Sequence, residues 1–423
     1  MRGILSGLCP DKRRQPIVKK ELFKMLHFDK SIEMIKNLEI KQYKTKKIYL
    51  IDALGYVLAQ DVAADHNSPQ FPTSAMDGYA IRYEDMAIGR LKIDSINPAG
   101  SPLKDEVRCG HCIKTFTGSL MPKGADTLIP IENVTVEEEE IIIRQEVPLG
   151  YSVREIGENY REGELLIPKG TKIDFAQIGV MAGLNIVSPL VHEKPTVAVL
   201  STGSELLELG ENQTNDAQIR SSNNYILEAL VKKYGGTPLQ LGCIKDDKQS
   251  ITLALAQALE KSDIVVTTGG VSVGDFDFVK DVIRELGCEV VFKGVRIKPG
   301  QHIMVARKGD KFIVGLPGFA YSSTVTALLY LVPLIEKLQQ GKSSLRTVKA
   351  TLLQPFHKRA KKAEFTACNV TLANGVYTVD FDKKKVGTSA ILTNMLGPTA
   401  LLFTSEEDAS KSRGDQVDIL LLD

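Results

Sequence analysis

The hydrophobic and polar positions change rhythm several times along the chain. Ile32, Ile35 and Leu38 recur at helical spacing, which predicts a helix in the segment opened by Met25, with Ser31 as its cap. Ile48, Leu50, Ala53, Leu54, Val57 and Leu58 predict a second helix within 48–65. His66-Asn-Ser-Pro-Gln-Phe-Pro72 then breaks any helix, because two prolines push their predecessors into extended geometry. Over 79–170 short apolar runs alternate with Gly and Pro and predict an all-β insert, in which Val134-Thr-Val-Glu-Glu-Glu-Glu-Ile-Ile-Ile143 is a hairpin with a charged tip.

From residue 195 strands and helices alternate. Thr196-Val-Ala-Val-Leu-Ser201 reads as a buried strand, and Ser222 to Gly235 as a helix with a capping start and a glycine stop. Strand Leu239–Ile244, helix Ser250–Lys261, strand Asp263–Thr268, helix Phe276–Leu286, strands Glu289–Phe292 and Lys311–Val314, and a long apolar helix Ala320–Leu338 follow. Such alternation predicts βαβ units around a parallel-type sheet, with the loops after the strands gathered on one ligand-binding edge. From about residue 343 short strands return: Val348–Leu353, Phe365–Leu372, Val376–Asp380, Ala400–Phe403 and Val417–Leu422. With the hairpin signal Asn374-Gly375 they predict a C-terminal β-barrel.

Composition narrows the class. The chain has 423 residues, 43% hydrophobic and 25% charged, which suits a globular protein of roughly three domains. No apolar run is long enough to span a bilayer, so a membrane partner is not expected. Net charge is only +1, so a nucleic-acid partner is not expected either. That sum hides an asymmetry. Residues 1–47 hold 13 Lys/Arg and 5 Asp/Glu; of the chain's 53 and 52, that leaves 40 and 47 for the rest. Residues 1–24 read as a basic, disordered extension outside the folded body. Six cysteines are too few for a disulfide scaffold, and a cytoplasmic location is expected.

The chemistry gathers in the loops after the strands of the alternating region. Ser201-Thr-Gly-Ser-Glu205, Lys245-Asp-Asp247, Thr267-Thr-Gly-Gly-Val-Ser-Val-Gly-Asp-Phe-Asp277 and Gly315-Leu-Pro-Gly318 follow successive strands. Gly269, Gly270 and Gly274 lie between a strand and a helix, where backbone amides can approach a phosphate. Neither the dinucleotide Gly-x-Gly-x-x-Gly pattern nor a P-loop is present. Glu205, Asp246 and Asp277 are hard oxygen donors suited to Mg²⁺, or singly to loop and cap roles. Asp77 in Ser74-Ala-Met-Asp-Gly-Tyr-Ala80 reads alone as a turn residue. Cys109-Gly-His-Cys112 precedes a strand-like run rather than a helix and has no second half of a zinc site, so ordinary core or loop cysteines are expected. His66, His192 and His357 support no Ser/His/Asp triad.

Taken together, these motifs resemble the molybdopterin molybdenumtransferase family, the group of MoeA and the E domain of gephyrin. The resemblance runs from about residue 27 to 423. It is carried by Ser74-Ala-Met-Asp-Gly-Tyr-Ala-Ile81, Thr117-Gly-Ser119, Pro122-Lys-Gly-Ala-Asp126, Ser201–Glu205, Asp246-Asp247, Thr268–Asp277, Ile297-Lys-Pro-Gly300 and Gly315–Gly318. It implies a multidomain α/β architecture: a discontinuous elongated helical/strand domain (25–68 and 160–194), a β-rich insert (69–159), an α/β molybdopterin-binding domain (195–340) and a β-barrel (343–423). It implies that molybdate and adenylylated molybdopterin are substrates, that molybdenum enters the dithiolene with release of AMP, and that Mg²⁺ or Zn²⁺ assists. By position it implies catalytic roles for Asp77, Thr117, Glu205, Asp246, Asp277 and Lys298, with Glu205, Asp246 and Asp277 as metal ligands. Substrate binding falls to Gly269, Gly270, Ser272, Gly274, Pro299, Gly300, Pro317, Gly318 and Ser322. A homodimer with the site between subunits is also implied, as is contact with the molybdopterin adenylyltransferase and with molybdoenzymes or their chaperones. A catalytically weak scaffold of the same fold, a tungstate-specific insertase and a generic nucleotide hydrolase are the alternatives. The chain departs from the family pattern at Ala320 (usually Pro), Asn159 (Asp), Gly294 (Lys, with Lys293 adjacent) and Ser221 (Asp).

Overall fold

The computed structural model describes residues 25–41, 43–102, 105–270 and 278–422. They divide into two compact units, residues 44–193 with 339–342, and the remainder.

The chain enters as helix α1 (Phe28–Lys36). Ser31 does not cap it. The serine sits inside the helix, donates to the Phe28 carbonyl at 2.6 Å and shares a 2.7 Å hydrogen bond with the Tyr330 hydroxyl. Ile35 is buried in the same core as Tyr330. Residues 25–43 therefore pack with the α/β and barrel regions, rather than with 160–194 as the sequence suggests. The backbone adds to this anchor, since Leu26 N donates to Gly294 O and Arg296 N to Leu26 O.

In the unit 44–193 the expected helix over 48–65 does not form. Only a 3₁₀ turn, Leu50–Ala53, appears. Gly55 then takes φ +77°, and Val57 and Leu58 bridge to Lys172 and Val191. The apolar positions that mimic a helical stripe instead line a core with Ile167, Ile173, Met181 and Val191, beneath helix α2 (Phe175–Gly183). The insert holds a six-stranded sheet: β1 (Gly78–Ile81), β2 (Arg90–Asn97), β3 (His111–Thr115), β4 (Thr127–Pro130), β5 (Val134–Glu137) and β6 (Glu140–Ile143). Their order is β4-β1-β3-β2-β6-β5, and only β2 and β3 run parallel. The β5–β6 hairpin forms as expected, its tip turning at Glu138 with φ +55°.

The α/β region forms a second six-stranded sheet. Its strands are β7 (Thr196–Thr202), β8 (Thr237–Ile244), β9 (Ile264–Thr268), β10 (Glu289–Lys293), β12 (Met304–Lys308) and β13 (Lys311–Leu316), with the short β11 (Ile297–Lys298) lying between β10 and β12 in sequence. The order is β8-β7-β9-β13-β12-β10. The first four strands are parallel; β12 and β10 add an antiparallel edge. Strand β12 is not anticipated, because its short apolar run Ile303-Met-Val-Ala306 shows no period-two alternation. Continuous apolar runs in β7 and β9 follow from burial on both faces. Val197, Val199, Ile264 and Val266 meet helix α3 (Asn223–Lys233) and the helical segment after β13. Ala198, Leu200 and Val265 meet helices α4 (Lys248–Lys261) and α5 (Val279–Glu285). Helix α4 starts earlier than the sequence suggests because the Asp247 carboxylate caps it, accepting from Ser250 N at 2.8 Å.

The long apolar helix is interrupted. Helices α6 (Ala320–Thr326) and α7 (Val332–Leu338) are joined by a π-helical turn, Ala327–Leu331. Pro333 supplies the cause, since it has no N–H and its ring clashes with the carbonyl one turn back.

The C-terminal strands β14 (Thr347–Leu352), β15 (Ala363–Ala373), β16 (Val376–Asp380), β17 (Thr399–Thr404) and β18 (Gln416–Leu421) close into a five-stranded barrel through the β15–β17 pairing. The β15–β16 hairpin turns at Asn374-Gly375, both with positive φ. Strand β11 joins the barrel edge in parallel with β15, pairing Ile297 with Ala363 and Lys298 with Glu364. No helix among the described residues is long and apolar enough to cross a membrane.

Candidate active site

Three of the expected loops leave the same edge of the parallel sheet. The loop after β7 carries Glu205, which is exposed; Ile219 N donates to its carbonyl at 2.9 Å and fixes the backbone. A Cβ at Gly203 would stand 2.8 Å from both Glu205 carboxylate oxygens, so glycine leaves room for the carboxylate to fold back. The loop after the neighbouring strand β8 carries Asp246, half-buried, while Asp247 is committed to capping α4. The loop after β9 opens with Gly269 and Gly270 at φ +85° and +66°. A Cβ on Gly269 would lie 2.7 Å from the Thr202 carbonyl oxygen, and one on Gly270 would lie 2.5 Å from Val279 Cγ2. Only glycine fits at both positions. The Thr202 hydroxyl beside them is buried without a hydrogen-bond partner among the described residues. Ser272, Gly274 and Asp277 lie outside the described residues.

A buried polar chain ties these strand ends together. Thr268 Oγ1 and Ser201 Oγ are 2.7 Å apart, Ser201 donates to Asn224 Oδ1 at 2.6 Å, and Asn224 Nδ2 faces Cys243 Sγ at 3.7 Å. It links β9, β7, α3 and β8. Burial first, and then the Glu208 carboxylate, push the Cys243 thiol up to about 11, so it stays protonated.

Lys298, Pro299 and Gly300 end β11 at the junction with the barrel. Lys298 Nζ donates to Glu364 Oε1 at 3.0 Å, and Glu364 is 3% exposed. Pro317 and Gly318 follow β13, and Gly318 O accepts from Asn223 Nδ2 at 2.7 Å. Ser322 is buried in α6 and donates to the Ser389 carbonyl at 3.0 Å. Glu364 and Asn224 are not singled out by the sequence. A lone acid inside the apolar run Ala363-Glu-Phe365 is the signal that identifies Glu364.

Asp77 and Thr117 come together in the other unit. Asp77 Oδ1 accepts from Thr117 Oγ1 at 2.7 Å and from Thr117 N at 2.8 Å. These two bonds, the hydroxyl first, hold the Asp77 carboxyl below its ordinary range. In the same unit Cys112 is fully buried in the insert core and Cys109 is exposed, and both are free thiols; burial pushes the Cys112 thiol up to about 12.

The family departures have local accounts. Gly294 takes φ +73°, a conformation that disfavours lysine. Asn159 keeps hydrogen bonds to Ser68, from its amide to the carbonyl at 2.8 Å and from its side chain to the hydroxyl at 3.4 Å. Ala320 is the first residue of α6, a position that accepts alanine as well as the family's proline. Nothing in the structure explains Ser221.

Among the described residues no three His, Cys, Asp or Glu side chains form a metal-holding group. Glu205 and Asp246 nevertheless suit Mg²⁺, which is commonly held by one or two carboxylates together with substrate phosphates.

Residues 26–184 match the family described as "MoeA N-terminal region (domain I and II)", and residues 198–337 match "Probable molybdopterin binding domain". The molybdopterin molybdenumtransferase of Staphylococcus epidermidis is 32% identical over 378 residues, covering 87% of each chain. That of Nostoc sp. is 31% identical over 393 residues, covering 90% of this chain and 89% of the relative. The crystal structure of the molybdopterin biosynthesis MoeA protein from Pyrococcus horikoshii OT3 aligns with TM-score 0.80 and 29% identity, over 94% of this chain and all of that one. The chain belongs to the molybdopterin molybdenumtransferase family, the family of MoeA.

Proposed function

We propose that this protein inserts molybdenum into molybdopterin during molybdenum cofactor biosynthesis, using adenylylated molybdopterin and molybdate and releasing AMP. The names of its relatives support the transferase reading. The observation that carries the site is the placement of Glu205, Asp246 and the Gly269-Gly270 turn on loops after three adjacent parallel strands. Amides in the glycine turn suit phosphate oxygens. Glu205 and Asp246, with Asp277, are assigned to Mg²⁺, or Zn²⁺ in its place. A bound cation polarises the phosphoanhydride for cleavage.

The protein's own side chains supply the rest. Lys298 offers donors to an oxyanion, Ser322, whose hydroxyl here donates to the Ser389 carbonyl, is assigned to substrate contact by its position, and Gly318 lets backbone approach the ligand. Asp77, oriented by its two hydrogen bonds from Thr117, provides a second polar anchor. Ser272, Gly274, Pro299, Gly300 and Pro317 are assigned to substrate contact on the same basis. We also assign a homodimer and a cytoplasmic setting, with hand-over contacts to the adenylyltransferase that makes the substrate and to molybdoenzymes that take the product. The dimer is supported by exposed apolar residues within 44–193, among them Phe175, 80% exposed, and Ile51, Leu54 and Val180.

The test is to combine the purified protein with adenylylated molybdopterin, molybdate and Mg²⁺ and to follow AMP. Stoichiometric AMP release that Asp246→Ala abolishes is the expected result. No AMP above background removes the enzyme reading and leaves a scaffold of the same fold. Turnover of ATP without pterin identifies a nucleotide hydrolase, and AMP release with tungstate alone identifies a tungstate insertase.

A further inference from the structure

Glu364 is a buried carboxylate paired with Lys298, the residue assigned above to the substrate oxyanion. Its residue is the direct ladder partner of Lys298, across a parallel pairing that joins the α/β region to the barrel. Its two oxygens have separate tasks. Oε1 receives the Lys298 ammonium at 3.0 Å, and Oε2 accepts the Arg359 backbone N–H at 3.3 Å. With 3% of the side chain exposed, the carboxylate has little water to stabilise its charge, and Lys298 is the cation that compensates it.

Of the surrounding cations, Arg359 lays its guanidinium against Gly387 in the cleft that Lys298 lines, and three others are engaged elsewhere. The Lys358 ammonium donates to the Ser405 carbonyl, the Lys362 ammonium to the Gln301 side chain, and Arg296 pairs with Glu406 at 2.9 Å. Lys298 is 27% exposed and stands on the same cleft as Glu364, Thr366 and Ser389. An ammonium has three donors; one is taken by Glu364, so two remain to face a ligand.

We propose that Glu364 is a positioning and specificity-determining residue for Lys298. It fixes the direction of the two remaining donors, and its negative charge moderates how tightly the ammonium holds a tetrahedral oxyanion. A lysine without that carboxylate would hold any dianion more strongly and discriminate less between sulfate and molybdate. This inference rests on the assignment of Lys298 to the substrate oxyanion.

The experiment is calorimetric titration of the full chain with sodium molybdate and with sodium sulfate, for the wild type, Glu364→Gln, Glu364→Asp and Lys298→Ala. Glu364→Gln removes the charge, keeps its one acceptor for Lys298 and gives up the Arg359 bond, so both anions should bind at least about fivefold more tightly, with a smaller molybdate-to-sulfate ratio. In turnover, KM for molybdate should fall while kcat falls as well, a split that general destabilisation does not produce. Glu364→Asp keeps the charge but withdraws it by one methylene. It should leave sulfate affinity within twofold and lower kcat, and it serves as the reporter if the Gln variant does not fold. Molybdate affinity within twofold of wild type for Glu364→Gln, or Glu364→Asp indistinguishable from wild type in kcat, overturns the inference. Unchanged molybdate binding by Lys298→Ala instead overturns the assignment of Lys298 itself.

Discussion

Asp77 and Lys298 are both charged residues that the family resemblance assigns to substrate, and the protein holds them by opposite means. Asp77 lies in the unit 44–193, open to solvent, and takes both of its hydrogen bonds from one residue, Thr117. Lys298 lies where two sheets join, and its partner is a buried carboxylate on a strand from the barrel. The first arrangement joins two exposed loops within one unit and involves no buried charge. The second is part of the packing between the α/β region and the barrel, so the same contact serves stability and chemistry. The glycine turn at 269–270 belongs with the second kind, since its close contacts run to Thr202 and Val279 on neighbouring elements.

Substitutions that break the packed half should therefore cost stability, and those in the local half should change only chemistry. The largest effect is expected for Gly270→Ala. Its positive φ and its approach to Val279 combine to about 3 kcal/mol, measured as a shift in the urea midpoint, with loss of AMP release. Glu364→Ala should follow at about 2 kcal/mol in the same assay. That is below the usual cost of breaking a buried ion pair, because Lys298 retains access to water. Thr117→Val should change stability by less than about 0.5 kcal/mol. It removes the stronger of the two bonds that depress the Asp77 carboxyl, so the carboxyl rises toward its ordinary range near 4. The acid limb of the pH–rate profile should then move to higher pH, and activity should fall roughly tenfold. A large loss of stability with no shift in the acid limb would reverse the contrast between the halves. The smallest effect is expected at Cys109. Iodoacetamide at pH 8 should label this exposed thiol, read by mass spectrometry, without loss of AMP release, and should spare the buried Cys112, whose thiol is pushed up to about 12.

How far the site is legible in the sequence depends on where each residue's partners sit. Glu205, Asp246 and the glycines after β9 are visible because each follows an apolar run that reads as a buried strand, and loops after such strands bind ligands. The Asp77 motif is visible as a resemblance, but its partner Thr117 stands 40 residues away and hydrogen-bonds to it only once β1 and β3 pair. Glu364 lies 66 residues from Lys298. The misread segment at 48–65 has the same origin. Its apolar spacing fits a helix, yet Gly55 and the contacts to Lys172 and Val191 turn it into bridges and a short 3₁₀ turn.

The sequence by itself determines the alternation of strands and helices from residue 195, the barrel strands after 343 and the hairpins at 134–143 and 374–375. These signals are carried by neighbouring residues, through apolar periodicity and turn chemistry. Tertiary structure alone decides that α1 packs against Tyr330, that β10 and β12 run antiparallel at the sheet edge, and that Lys298 faces Glu364. Those outcomes depend on contacts between residues far apart in the chain, and on which of several compatible faces is buried. Local pattern leaves both open.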